Sequence, residues 1–195
     1  NFISIMCDKI GIDIEFIFLD NGFYSFSNSK IMQYLNKDDS IKILNSLIIQ
    51  NKVKNEKIYL SRQNSKFRNI INEGDIIEFL KKESFKIIDL NSLSIIKQID
   101  LFSKASTIVS PTGSSLTNIA FCSPGTRIIE ISPKYNFSYE DNLKNRYSYI
   151  SKKLDLNYYR FEADPIDLVR SDKLTDSVIL PGKLKESNYY KDMLL

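Results

Sequence analysis

The residues best placed for chemistry lie in the run Ile108-Val109-Ser110-Pro111-Thr112-Gly113-Ser114-Ser115-Leu116-Thr117-Asn118. It reads as an apolar strand, a turn of small residues and the start of a helix. Unpaired N–H groups at such a helix start, with the helix dipole behind them, attract anions. Ser114 and Ser115 add hydroxyls, and Ser114, Thr117 and Asn118 share one helical face. The same residues also suit a plain tight turn with a serine cap. A second candidate, Ser61-Arg62-Gln63-Asn64-Ser65-Lys66-Phe67-Arg68, also follows a strand. The chain has six Arg against 21 Lys, so two guanidiniums in one loop stand out. Each offers phosphate a bidentate fork that lysine lacks. Without a ligand, this would be an ordinary solvated loop. Further along, Asn72 and Glu73 open a helix, where Glu73 can orient Arg62 or Arg68, accept from a ribose, or stand exposed on the helix. Gln98 adjoins an apolar stripe, where a surface glutamine is the simplest reading. Glu130 interrupts the apolar strand Ile128–Ile131, and a carboxylate there requires a partner, an arginine or a ligand hydroxyl or amide.

Composition limits the chemistry. The chain has no histidine, so a Ser-His-Asp or Cys-His nucleophile and a His-ligated metal are excluded within it. Its two cysteines, Cys7 and Cys122, cannot build a four-thiolate site; free thiols in a reducing cytosol are expected, with one disulfide as the alternative. With 195 residues, 43% apolar and 26% charged, the chain has the make-up of one globular α/β domain. A net charge of +3 is too small to point to nucleic acid or a membrane surface. No apolar run reaches the ~20 residues of a membrane span. The chain opens on Asn1 with no signal-peptide pattern, so a fragment, a processed chain or a trimmed chain is expected.

The elements that must position these residues follow from periodicity. Residues 2–10 predict a short helix, and 15–19 and 23–26 extended pieces around the Asn21-Gly22 turn. Asp39 and Ser40 predict the cap of a helix running to about Gln50. From there strands are expected at 57–60, 85–89, 107–109 and 127–131, and helices at 69–82, 94–104 and 114–121. A helix at 138–154, a final or edge strand at 158–162, a loop at 164–175 and a closing helix at 182–194 complete the reading. The Tyr-rich stretch 135–149 can stack on a base or sugar, though packing against the sheet is its simpler use. Alternating strands and helices predict an α/β fold: a Rossmann-like, doubly wound, mostly parallel sheet with helices on both faces. Residues 57–195 are expected to form this Rossmann-like domain. Residues 1–56 would be its leading segment or an inter-domain connection.

The ordered series Tyr59-Leu-Ser-Arg62, Arg68, Asn72-Glu73, Gln98 before Leu101-Phe102 and Ala105, Ser110–Asn118, Phe121, Pro124-Gly125-Thr126 and Ile129-Glu130-Ile131-Ser-Pro133 resembles the C-terminal part of glycosyltransferase family 61. The resemblance covers about residues 58–133. It implies the C-terminal half of a GT-B architecture, binding a nucleotide-sugar donor for inverting, metal-independent transfer to a glycan or lipid-linked acceptor. In bacteria such members serve capsular or other surface polysaccharide synthesis, which implies a cytoplasmic location at the inner face of the membrane. No cofactor beyond the sugar nucleotide is implied. The acceptor base would lie on an N-terminal partner domain, so this chain alone should not turn over. The donor-binding residues carried over are Arg62, Arg68, Asn72, Glu73, Gln98, Thr112, Gly113, Ser114, Ser115, Asn118 and Glu130. Arg62 and Arg68 would contact the diphosphate, the Thr112–Ser115 turn would donate N–H groups to it, and Glu130 would contact ribose or base. The family's central pattern, Gly-Pro-His-Gly-Ala-Gly-Leu-Thr-Asn, has its histidine at Thr112 and its last glycine at Ser115. Threonine cannot become a cation, so a non-catalytic binding or partner domain is the alternative. A nucleotide-binding domain of unrelated chemistry ranks last, because no Gly-x-Gly-x-x-Gly is present.

Overall fold

The structure, a computed structural model, describes residues 36–47, 53–65, 70–133, 140–166 and 176–178, with isolated positions before residue 26. In chain order its elements are α1 (Lys37–Ser46), β1 (Glu56–Leu60), α2 (Glu73–Lys82), β2 (Lys86–Ile88), a 3-10 turn (Leu90–Ser92), α3 (Ile95–Ser103), β3 (Ala105–Pro111), a 3-10 helix (Ser114–Phe121), β4 (Arg127–Pro133), α4 (Glu140–Lys153), β5 (Asn157–Ile166) and β6 (Asp176–Val178). The strand order is β2-β1-β3-β4-β5-β6. The first five strands run parallel, and β6 is antiparallel to β5. The expected α/β, Rossmann-like parallel sheet is the fold observed.

Both faces of the sheet are buried, because each strand alternates its apolar side chains between them. Ile58, Leu60, Ile108 and Ile128 point to one face, where α1, α3, the 3-10 helix and α4 add Ile41, Phe102, Leu116, Ile119 and Tyr147. Tyr59, Val109, Ile129 and Ile131 point to the other, where α2 adds Ile76, Ile77 and Leu80. Each such fully buried aliphatic side chain contributes ~1.5–3 kcal/mol. α1 packs into the first face through Ile41 and Leu47, and Asn45 Nδ2 donates to the carbonyls of Ala120 and Cys122 at 3.0 and 3.1 Å.

Several boundaries differ from the sequence reading. α1 begins at Lys37, not at Asp39 or Ser40. Its cap is Asn36, whose Oδ1 accepts from the Asp39 N–H at 2.9 Å, and the helix ends at Ser46. α2 begins at Glu73 rather than 69, with Asn72 at the capping position and Glu73 and Asp75 in the first turn, where the helix dipole favours carboxylates. Residues 114–121 wind as a 3-10 helix. Its serines, threonine and asparagine are weak α-formers, and Leu116 and Ile119, three apart, both turn inward. β5 is the last of the parallel strands, as expected, and β6 flanks only its residues 164–166. β5 is ten residues long, lies beside β4 and continues through 164–166, which the sequence reading assigned to a loop. β6 was not anticipated. The helices expected at 2–10 and 182–194 and the extended pieces at 15–19 and 23–26 lie, apart from single positions, outside the described residues. Among the described residues no helix is long and apolar enough to cross a membrane. Cys122 is a free, fully buried thiol whose pKa burial pushes far up, while Cys7 lies outside the described residues.

Candidate functional site

In this sheet the strand order reverses between β1 and β3: β2 lies to one side of β1, and β3, β4 and β5 to the other. Loops leaving the carboxyl ends of the two strands diverge there and open a crevice, the usual ligand position of open α/β sheets. The loop after β1 begins Ser61-Arg62, and the loop after β3 is Thr112-Gly113. Both strongest sequence candidates therefore meet at one switch point.

Arg62 is held there by its own backbone. Its N–H donates to Glu73 Oε1 at 2.8 Å, and the Tyr59 hydroxyl donates to the same oxygen at 2.9 Å. Glu73 is only 3% exposed, so it is not the exposed helix carboxylate that composition favours; it orients Arg62 through the main chain. Burial, then the adjacent Glu73 carboxylate, pushes the Tyr59 phenol far above its ordinary range, so it remains a donor at all physiological pH. Beyond β1, Asn64 Nδ2 donates to Asp89 Oδ2 at 3.0 Å, tying this loop to the end of β2. That bond and the Asn91 N–H hold the Asp89 carboxyl below its ordinary pKa.

The Arg62 guanidinium lies against Gly113. A Cβ at Gly113 would overlap Nη1 of Arg62 and stand 3.4 Å from Cζ. Glycine is required here for close approach rather than conformation, since φ of 163° is extended backbone. The Thr112 N–H continues the ladder, donating to the Ile131 carbonyl at 2.7 Å. Leu116 N–H closes the first 3-10 turn on the Gly113 carbonyl at 2.9 Å. Among the described residues, none accepts from the N–H groups of Gly113, Ser114 or Ser115. A charged fork and a row of open amides thus share one turn, the chemistry of an oxyanion or phosphate site. The Gly113 carbonyl also accepts from the Tyr147 hydroxyl, carried by α4 and buried at 1% exposure.

Other predicted residues gather elsewhere. Gln98 donates both amide hydrogens to backbone carbonyls, Leu90 at 3.1 Å and Leu93 at 3.0 Å, and its Oε1 accepts from Asn118 Nδ2 at 2.8 Å. Gln98 is therefore no free surface glutamine: with Asn118 it clamps α3 to the 3-10 helix. Both line a groove of about 280 Å³ with Leu44, Ile95, Thr117 and Phe121. Glu130 is 1% exposed, and its partner is the Tyr158 hydroxyl rather than an arginine. Burial, then Glu130, raises the pKa of Tyr158 strongly. Arg160, across from Glu130 on β5, instead donates Nη2 to Ser132 Oγ at 2.8 Å. Asn72 sits half-buried at the start of α2, beside Glu73, and its carbonyl accepts from Asp75 and Ile76. Arg68 lies outside the described residues.

The structure thus brings together Arg62, Glu73 and the turn Thr112–Ser115, and puts Gln98 with Asn118 and Glu130 with Tyr158 in separate groups. The sequence reading gave no role to the hydroxyls of Tyr59, Tyr147 and Tyr158. Packing is the simpler use of such aromatic residues, and only the assembled fold shows which polar atom each phenol meets: Glu73 on α2 for Tyr59, the Gly113 carbonyl for Tyr147 and Glu130 on β4 for Tyr158. Tyr147 does pack into the sheet-facing core, the simpler use expected of the Tyr-rich stretch.

Comparison with known proteins adds an independent line. A search of curated proteins finds no match. The family model described as Glycosyltransferase 61 matches residues 8–129. The match starts some fifty residues before the stretch carrying the sequence resemblance and ends one residue short of Glu130. It spans α1 and the whole switch-point crevice. With more than half of its 195 residues matched in this way, the chain belongs to glycosyltransferase family 61.

Proposed function

We propose that this glycosyltransferase domain binds the donor, a nucleotide sugar, with the diphosphate in the crevice between the loops after β1 and β3. The observation that carries the reading is the Arg62 guanidinium laid on Gly113, beside the open amides of Ser114 and Ser115. In glycosyl transfer the sugar–phosphate bond breaks and negative charge grows on the departing diphosphate. A fixed guanidinium and preorganised N–H groups stabilise that charge with no reorganisation during the step. Glu73 contributes by fixing the loop that bears Arg62. Arg68 would add a second cation. Asn118, with one N–H committed to Gln98, and Glu130, beneath Tyr158, can reach a ribose or base only through their remaining valences. Inverting transfer without a metal, a surface polysaccharide or lipid-linked acceptor, and a site at the cytoplasmic face of a bacterial membrane complete the proposal. No residue is assigned as the acceptor's base.

The alternative is a non-catalytic member that binds the nucleotide and lacks transfer. Thr112 favours it, since a neutral hydroxyl replaces the family's histidine and its N–H is spent on Ile131. Calorimetric titration with UDP, GDP, CDP and CMP tests the main reading. Selective binding of one nucleotide is expected, weakened by Arg62→Ala by ~1.5–3 kcal/mol. Failure of folded wild-type protein to bind any of them would overturn it. Binding with no transfer by the full-length protein would establish the alternative.

A further inference from the structure

The Gly113 carbonyl and the Ser114 N–H belong to one trans peptide unit, so the two groups point in opposite directions. The carbonyl accepts twice, from the buried Tyr147 hydroxyl and from the Leu116 N–H. The Leu116 bond is local and would form in any 3-10 turn. The Tyr147 bond spans 34 residues and comes from a different element, α4. Two donors on one carbonyl fix the plane of the peptide and polarise it, which strengthens the N–H at its other end. That N–H belongs to Ser114, which is exposed, whereas Gly113 and Tyr147 are buried. The carbonyl faces inward to the phenol and the amide faces outward.

We infer that Tyr147 is a positioning residue for phosphate binding: its hydroxyl holds the Gly113–Ser114 peptide so that the Ser114 N–H is aimed at the donor diphosphate. The inference rests on the donor-site reading above. It adds a residue beyond the end of the family match at 129, so α4 becomes part of the binding machinery. The bond also explains why a phenol, rather than another apolar side chain, stands in this fully buried position.

The test is a double-mutant cycle on the 195-residue chain, read by calorimetry with the nucleoside diphosphate that the wild type binds. Tyr147→Phe removes only the hydroxyl. Ser114→Pro removes the N–H together with the hydroxyl, so Ser114→Ala, which removes the hydroxyl alone, is its reference; proline suits the first helical residue here, and the preceding Gly113 is already extended. Each single variant is expected to weaken binding about three- to tenfold, the range of one hydrogen bond. In the Ser114→Pro background, Tyr147→Phe should have no further effect. A purely structural tyrosine would lower the melting temperature but would weaken binding equally with and without the Ser114 amide. Full additivity, or a Tyr147→Phe protein that binds as the wild type does while Arg62→Ala binds poorly, overturns this inference and leaves the donor site standing. No nucleotide binding by the wild type removes the donor site and this inference with it. If Tyr147→Phe is too unstable to titrate, the Ser114 amide resonance of the unliganded protein decides: loss of the bond should shift it upfield in Tyr147→Phe, and an unchanged shift overturns the inference.

Discussion

At the front of the 3-10 helix Ser114–Phe121, Gly113 leaves room for a guanidinium and the first amides carry no partner among the described residues. One turn further on, Asn118 of the same helix is joined to Gln98, whose amide hydrogens are both committed to backbone carbonyls. The two regions draw on neighbouring residues, and sequence order alone gives them one role. They differ in the state of their polar groups. A group can recognise a ligand only with valences the fold has not used, and at the clamp most are used. At the turn the fold goes the other way: Glu73, held by the Tyr59 hydroxyl, and Tyr147 spend hydrogen bonds on main-chain atoms of the loops, and the first amides of the 3-10 helix keep no partner among the described residues.

The contrast can be broken experimentally. Replacing Glu73 with Leu should give the largest effect, because it strands the buried Tyr59 hydroxyl and the Arg62 N–H together. A loss of roughly 2–4 kcal/mol in urea denaturation is expected, with weakened nucleotide binding, while Glu73→Gln keeps an acceptor and recovers most of both. Gln98→Ala should cost about 1–3 kcal/mol of stability, since two carbonyls and Asn118 lose their partner, yet leave nucleotide affinity within about twofold. If affinity collapses at native-like stability, the clamp is itself a ligand site and the contrast is lost. Gly113→Ala is the converse case. Extended φ tolerates alanine, so the melting temperature should barely move, but the displaced guanidinium should weaken diphosphate binding roughly tenfold, ~1.4 kcal/mol.

The smallest effect concerns the tie between α1 and α4. Asp38 accepts from Lys153 at 2.6 Å and from Tyr149, and these bonds hold its carboxyl below its ordinary 3.8. The same bonds raise Lys153 above 10.5 and Tyr149 above 10.0. A depressed carboxyl gives stability that is complete above its unfolded pKa and lost as pH falls through the folded one. Raised Lys153 and Tyr149 give stability that is complete below their unfolded values and lost as pH rises through the folded ones. The melting-temperature advantage of wild type over Asp38→Asn should therefore be flat from about pH 5 to 9 and fade toward both extremes. It should also shrink in high salt, because the groups are exposed. Nucleotide affinity should not follow it.

Much of this architecture is legible in the sequence. Ile58–Leu60, Ile108–Val109 and Ile128–Ile131 are apolar runs too short for helices and bounded by polar or turn residues, and both faces of a parallel sheet demand such runs. The anion-binding character of the Gly113 turn was legible for the same reason: strand, small residues and serines fix a helix start at a strand's carboxyl end. Its pairing with Arg62 was not, since contact across fifty residues depends on strand order. Glu73 looked like any helix carboxylate until α2 turned it inward. The 3-10 winding of residues 114–121 and the true cap at Asn36 escaped because local propensities separate neighbouring candidates by only fractions of a kcal/mol. The role of Tyr147 depends on where a hydroxyl ends, and apolar patterning does not encode that.

The sheet's two outermost strands, β2 and β6, are three residues each, while the strands between them run from five to ten. A neighbouring chain seeking to extend the sheet at β2 meets only three residues, among them Lys86, paired with Glu56. The apolar strands β3 and β4, which would template intermolecular pairing if laid bare, are flanked on both sides, β3 by β1 and β4, and β4 by β3 and β5. Among the described residues the arrangement that collects the ligand loops at mid-sheet therefore also shields β3 and β4 from ordered self-association, and lengthening β2 would offer a new edge for pairing before it touched the crevice.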